Sequence, residues 1–424
     1  MPGQPFGLVG LGVYAGYVGR FLLERLADDS KPLRLAAVYE PHYDQHPELT
    51  AAMSAKGVRL CTSYEELLQN VHSLWLPIPI DLHRSFTEQA LAAGKPVLCE
   101  KPAAGCIQDI DAMIRARDAA TLPVAIGYQD IYAESTQSLK QQLIDGAFGR
   151  IAAASLIAMW PRTTAYYLQR PWAGKLARNG VWILDSPANN ALAHFLHLAL
   201  YLLGPKRHES ARPVSVDAEL YRVNDIETYD TCCLRITIET GQQLLVCLSH
   251  ASSEHLDPIL TLDGAGGDRI VYDYGQKIAT VRWGGFDVPM TLTPNTYEET
   301  LSGFEALLQN PAQPALPHAS LEMSRMHGLV ISGASQAAPV HTLDPAHFTE
   351  QKKDDGGDTT LRHIPRLPDL FRRCISMRRM LHELSAAPWT RPARHLDLRN
   401  YTTFTGPPPT DTSPQRPTDP SAML

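Results

Sequence analysis

Phe6-Gly7-Leu8-Val9-Gly10-Leu11-Gly12-Val13-Tyr14-Ala15 sets a short apolar run directly before a glycine-rich turn, and the helical pattern Val18–Leu26 follows it. A run so short and apolar suits a strand buried on both faces. In a strand–turn–helix unit of this kind Gly10 permits the tight turn and Gly12 lets the backbone approach a pyrophosphate. Ala15 lets helix and strand pack closely, and the helix N-terminus faces the negative charge. The spacing is Gly-x-Gly-x-x-Ala, with Val13 and Tyr14 inside it. A glycine-rich turn can also be purely structural, so its neighbours decide the reading.

Those neighbours agree. Leu35–Tyr39, Ser73–Leu76 and Pro96–Cys99 are further short apolar runs separated by amphipathic stretches, the texture of βαβ units around a parallel sheet. Glu40 ends the second run, where a carboxylate accepts hydrogen bonds from an adenosine ribose and repels a 2′-phosphate. NAD is therefore expected rather than NADP; a solvated strand-end carboxylate is the alternative. In Gly94-Lys95-Pro96-Val97-Leu98-Cys99-Glu100-Lys101-Pro102-Ala103-Ala104 a strand delivers Glu100 and Lys101 to its C-terminal end. Open α/β sheets bind ligands there, and a lysine so placed can favour the ionised form of a substrate hydroxyl. A surface Glu–Lys pair is the alternative.

After Gly127 the texture changes. A helical stretch near Ser135–Asp145 leads to the strand Ile151–Met159, an irregular aromatic segment Trp160–Trp182, and a helix expected over Pro187–Leu203. Strands dominate Val214–Val288, and helical stretches at Tyr297–Gln309 and Leu321–Gln336 close this part. The pattern predicts an α/β protein: a Rossmann doubly wound parallel sheet, then an α+β domain with a large, mostly antiparallel open sheet. The expected division is 1–126 for dinucleotide binding and 127–350 for substrate and oligomerisation. An extension over 351–405 would hold a polar linker at 351–365 and a short helix over Asp369–Ala386, and the tail 406–424 is too proline-rich to pack.

The charge balance, 38 basic against 45 acidic residues with no basic block, argues against a nucleic-acid partner. No apolar run approaches the ~20 residues that span a bilayer, and the N-terminus lacks the basic opening of a secretory signal. The seven cysteines include no Cys-x-x-Cys pair, which fits reduced thiols in a cytoplasm and no metal site.

The run Gly-Lys-x-Val-Leu-Cys-Glu-Lys-Pro at 94–102, with Pro79 and His83 upstream in Pro-x-x-x-His spacing, resembles the signature of the glucose–fructose oxidoreductase / inositol dehydrogenase / MocA (Gfo/Idh/MocA) family. The likeness extends to about residue 345. It implies NAD(P)-dependent oxidation or reduction of a sugar, inositol or related polyol, and a homodimer or homotetramer built through the open sheet. Carried over, Gly10, Gly12, Val13, Tyr14 and Ala15 form the pyrophosphate turn, Glu40 holds the ribose, and Pro79 and His83 border the cofactor. Glu100 and Lys101 lie beside the nicotinamide, Gln129 lines the site, and Arg170 and Trp172 approach the substrate. Tyr166 offers an aromatic face that suits a sugar ring or a core.

The catalytic helix departs from the family pattern. Where relatives show Asp-x-Gly-x-His, this chain has Asp185-Ser186-Pro187-Ala188-Asn189, and an amide at Asn189 carries no proton near neutral pH. Helical spacing puts Asn190, His194 and His197 on one face, making His194 the candidate proton relay. Packing of both histidines in a core or an oligomer interface is the alternative, and no third ligand supports a zinc reading. Lys101 would polarise the reacting oxygen, helped by Asp185, with Asn189 and Asn190 orienting substrate hydroxyls. The resemblance also allows an NAD-dependent glycoside-cleaving enzyme, or a regulator that keeps the fold as a sensor.

Overall fold

The computed structural model describes residues 3–28, 30–283, 286–293, 297–312, 318–353 and 359–409. The proline-rich tail expected over 406–424 lies outside these residues from 410 onward.

The N-terminal part alternates strictly: β1 Gln4–Val9, α1 Val13–Arg25, β2 Leu33–Tyr39, α2 Pro47–Ala55, β3 Arg59–Cys61, α3 Tyr64–Asn70, β4 Ser73–Leu76, α4 Ile80–Ala92, β5 Val97–Cys99, α5 Ile107–Ala120 and β6 Val124–Ile126. The six strands pair in parallel in the order β3-β2-β1-β4-β5-β6. This is the expected Rossmann sheet. Its strand order reverses between β1 and β4, and the crevice at such a point takes the ligand.

The second part runs α6 Glu134–Ile144, β7 Ile151–Met159, α7 Thr164–Leu168, the two-residue strands β8 Ala177–Arg178 and β9 Val181–Trp182, and α8 Ala193–Leu202. Then come β10 Pro213–Arg222, β11 Thr231–Ile238, β12 Gln243–Ser249, β13 Leu256–Gly264, β14 Arg269–Asp273, β15 Ile278–Trp283 and β16 Phe286–Thr291. They build a ten-stranded sheet in the order β16-β15-β14-β13-β7-β12-β11-β10-β17, with β17 at Val340–Thr342 and the last strand, β20 at Arg394–Asp397, also on β10. Most pairs are antiparallel, as expected, while β12 with β7 and β10 with β17 are parallel.

Two helices stitch the sheets together. α9, Tyr297–Gln309, crosses back to the first sheet, where Leu301, Phe304 and Leu307 pack with Phe6, Leu8, Val38 and Trp75. Ion pairs from Arg25 to Glu305 at 2.6 Å and from Lys31 to Glu298 at 2.7 Å fix its approach. α10, Leu321–Ala337, lies against α5, α8 and β10, and the Ile126 N–H donates to the Ala319 carbonyl at 2.8 Å.

The C-terminal extension differs from its expected form. The linker at 351–365 is instead part of a hairpin, β18 Thr349–Lys353 with β19 Thr359–His363. The helix expected over Asp369–Ala386 is α11, Leu367–Met377. It stops because Arg378 turns left-handed, with φ 53°, and its N–H caps the carbonyls of Cys374 and Ile375. β20 and β17 take separate halves of the free edge of β10, which closes a row of exposed backbone groups.

α11 and the segment after it lie on the outer face of the large sheet. Ile364, Leu370, Phe371, Leu381 and Trp389 are buried there with Ile157, Met159, Val223 and Leu245. The face that the resemblance assigns to self-association thus carries the chain's own extension over these strands. Each such Leu or Phe contributes ~1.5–3 kcal/mol by burial. A chain ending at residue 345 is therefore expected to melt at lower temperature and to associate through the uncovered face. Size-exclusion chromatography checks this: elution in proportion to mass, with an unchanged melting temperature, would show that the extension is no part of the core.

Among the described residues, no helix is long and apolar enough to cross a membrane. All seven cysteines are free and buried.

Candidate active site

The chemistry begins where the strand order reverses. Gly10 adopts φ +90°, which an L side chain rarely tolerates, and its N–H donates to the Tyr39 carbonyl at 2.8 Å. Gly12 stands at the N-cap of α1 with no side-chain cap and no acidic residue in the first turn. The N–H groups of that turn can therefore receive an anion with no side chain opposing it. A Cβ on Gly12 would meet nothing within 4 Å, so the backbone there is open to a ligand. The turn fits a dinucleotide pyrophosphate. Val13 beside it is 77% exposed, an apolar surface left for a ligand to cover.

The Glu40 carboxylate is buried at the end of β2. It accepts from the Leu11 N–H at 2.7 Å and the His42 N–H at 2.9 Å. It thereby ties the glycine turn to its own strand.

A cavity of about 550 Å³ opens between α1, the ends of β4 and β5, and α8. Gly12, Val13, Tyr14, Ala15, Pro79, Glu100, Lys101, Gln129, Arg170, Trp172, Asn190 and His194 of the sequence-derived set line it. One wall is a hydrogen-bonded relay. Gln129 Nε2 donates to the Tyr14 hydroxyl at 2.8 Å, that hydroxyl donates to Glu100 Oε1 at 3.1 Å, and Trp75 Nε1 donates to the same oxygen at 3.1 Å. Gly127 must be glycine here, because a Cβ would lie 2.8 Å from the Glu100 carboxyl group. Burial raises the Glu100 pKa against the charge of Lys101.

Lys101 reaches into the cavity, and its ammonium donates to the Asn190 carbonyl at 2.7 Å. Burial pulls its pKa down to about 8, opposed by the charges of Glu100 and Asp185. Asp185 does not line the cavity. Its Oδ2 accepts from the Gly174 N–H at 2.6 Å and its Oδ1 from Asn190 Nδ2 at 2.7 Å. It therefore positions Asn190, which in turn holds Lys101. Burial raises Asp185 to about 6 against those hydrogen bonds. Leu184 before it sits at φ 49°, a strained conformation for leucine, and the N–H groups of Ile183 and Leu184 both donate to the Leu176 carbonyl.

Six expected site residues are not in the cavity lining: Gly10 and Glu40, which shape the turn beside it, and four others. Asn189 is buried, its Nδ2 donating to the Ile183 carbonyl at 3.0 Å. His83 is fully buried between the carbonyl oxygens of Ile78 and Pro102, each 2.8 Å from a ring nitrogen, and so staples two turns. Tyr166 lies behind Arg170, whose guanidinium sits 4.6 Å above its ring; the Arg162 guanidinium is 4.7 Å from the same ring. Asp185 is the fourth, for the reason given.

The helix expected from Pro187 starts only at Ala193. The stretch before it is a run of turns in which the Leu192 N–H reaches the Pro187 carbonyl at 3.0 Å. Asn190 is thus off the helix and points to Asp185 rather than along the face of His194. His194 does line the cavity, its Nδ1 3.6 Å from Asp130 Oδ2. Burial and the neighbouring Lys101 charge hold its pKa well below the usual histidine range. His197 is core, stacked on Tyr128 with ring centroids 3.7 Å apart.

Trp160, Phe195, Tyr274 and Asp130 also line the cavity, with Pro77, Ile78, Ile80 and Ala191. Phe195 meets Trp160 and Tyr274 edge-on at 5.9 and 4.8 Å, an aromatic wall of the same cavity as Lys101. Trp160 was noticeable in its aromatic segment, but Tyr274 lies in a turn between β14 and β15 and carries no local signal.

Residues 5–128 match an oxidoreductase family with an NAD-binding Rossmann fold. The chain is 31% identical over 135 residues to a 1,5-anhydro-D-fructose reductase of Ensifer adhaerens, a match covering 31% of this chain and 39% of that protein. It is 28% identical over 203 residues to a D-apiose dehydrogenase of Paraburkholderia graminis, covering 46% and 50%. The chain thus spans half or less of the length of these two relatives. Its fold is similar to that of the WlbA dehydrogenase from Bordetella pertussis, solved with NADH and UDP-GlcNAcA, at 21% identity and a TM-score of 0.61, covering 78% of this chain and 95% of that one. An aldose–aldose oxidoreductase from Caulobacter crescentus gives a TM-score of 0.63 at 19% identity, covering 78% and 96%. By its parallel sheet, its glycine turn and its Glu-Lys-Pro strand end, the N-terminal part of this chain, residues 5–128, matches the NAD-binding Rossmann fold of the Gfo/Idh/MocA oxidoreductases.

Proposed function

We propose that the protein is an NAD(H)-dependent oxidoreductase acting on a hydroxyl or carbonyl carbon of a sugar, inositol or related polyol. The observation that carries this reading is Lys101. Its ammonium, near pKa 8, stands between the open glycine turn and the aromatic wall of one cavity. A bound nicotinamide supplies or accepts the hydride. The chain's own residues do the rest. Lys101 takes the hydroxyl proton as a free amine during oxidation and returns it as an ammonium during reduction. Asp185 holds Asn190, and the Asn190 carbonyl aims Lys101. His194 remains neutral, so it serves the substrate as a hydrogen-bond partner, and Lys101 is the proton carrier. The carboxylate of Glu40 beside the turn repels a 2′-phosphate, which favours NAD over NADP.

The arginines favour a substrate that also bears a carboxylate. Arg170 lines the cavity, and Arg162 shares the Tyr166 ring with it, the Arg162 Nε buried with no hydrogen-bond partner. A fluorescence titration with NADH and NADPH, followed by a turnover screen of polyols and sugar acids, tests the reading. Tight NADH binding, weak NADPH binding and NADH formation with a hydroxylated acid are expected. Sugar release without net NADH would replace it with glycoside cleavage, and cofactor binding without any turnover with a sensor. Folded protein that binds neither nucleotide would overturn the oxidoreductase reading altogether.

A further inference from the structure

Away from the cavity, three cysteines from three elements meet. Cys233 on β11 and Cys247 on β12 are directly paired across antiparallel strands, their sulfurs 3.8 Å apart. Cys374 of α11 closes over them, and all three sulfurs lie within 4.8 Å of one another and are buried. Successive strand residues face opposite sides, so Cys232 belongs to the core on the other face of the sheet. With these separations, an ion equidistant from the three sulfurs sits within roughly 2.6 Å of each, against ~2.3 Å for a zinc–thiolate bond. A contraction of a few tenths of an ångström, about what a rotamer adjustment gives, completes the coordination.

We propose that Cys233, Cys247 and Cys374 form a three-thiolate site for a soft d10 cation, Cu+ or Zn2+, which ties α11 of the C-terminal extension to the large sheet. Thiolate sulfur selects these ions over hard cations. No imidazole or carboxylate joins the cluster among the described residues, and three sulfurs without a fourth donor suit Cu+ better than zinc, which takes four ligands in structural sites. Each thiol releases its proton to solvent as its metal–sulfur bond forms, and no electron moves. Phe371, Met380 and Leu381 are buried in the same cluster as the three thiols.

The test uses the full chain, reduced and stripped of metal, then exposed separately to Cu+ and to Zn2+ and passed through a desalting column. One ion retained per chain is expected, with a higher melting temperature that a chelator reverses and slower amide exchange across residues 367–377. Which ion is retained identifies the site's metal. Cys374→Ser should lose the ion while Cys232→Ser, altered on the opposite face, keeps it. Because serine in a core can impair folding, the wild-type exchange and melting data stand without the variants. Retention of neither ion by folded wild-type protein, or equal retention by a folded Cys374→Ser variant, overturns the proposal and leaves the three thiols as apolar filling.

Discussion

Replacing Lys101 with methionine is expected to lower kcat/KM by ~10²–10⁴-fold, the span usual for a positioned acid–base group. Methionine keeps the length of the buried stem and removes only the ammonium, so NADH affinity should change by no more than a few-fold. Steady-state kinetics beside a fluorescence titration separates the two effects. Turnover at the parent rate would remove Lys101 from the chemistry. The pH dependence gives a second readout. Oxidation needs the free amine, so its rate should rise with pH and level off above about 8. Reduction needs the ammonium and should decline above the same point. The negative charge of Asp185 supports the protonated form of Lys101. Asp185→Asn should therefore move both limbs to lower pH, a displacement that a purely structural role for Asp185 would not produce.

Gly12→Val should abolish cofactor binding without harming the fold. At φ −55° and ψ 179° the backbone of Gly12 is open to any residue, and an added Cβ meets nothing within 4 Å. Folding therefore loses almost nothing, while the side chain occupies the space in which the turn meets the pyrophosphate. A 100-fold or greater weakening of NADH binding is expected, about 2.7 kcal/mol, with a melting temperature within a degree or two of the parent. Gly10 makes a poor substitute for this test, because its φ of +90° would couple loss of binding to backbone strain. Undiminished NADH binding by Gly12→Val would place the dinucleotide elsewhere.

Local chemistry made the N-terminal half readable. A buried parallel strand, a glycine turn and a helix leave their marks within a dozen residues, and Lys101 follows its strand by two positions. The sequence by itself therefore determined the Rossmann sheet, the pyrophosphate turn, and Glu100 and Lys101 beside it. It also marked Pro79, Gln129, Arg170 and Trp172, all of which reach the cavity.

The tertiary structure decided the rest, because periodicity reports that a face is apolar and says nothing of what covers it. Ser186-Pro187 reads as a helix start, yet the backbone reversal around Leu184 holds the next residues in turns until Ala193, which sends Asn189 inward and Asn190 to Asp185. His83 fits a family spacing, but its two ring nitrogens are taken by carbonyls that only the folded turns bring together. Tyr274, the return of α9 to the first sheet, and the extension over the second all depend on contacts between distant parts of the chain. The three thiols are the plainest case: no spacing in the chain joins Cys374 to Cys233 and Cys247, and only the docking of one amphipathic helix on one sheet face does.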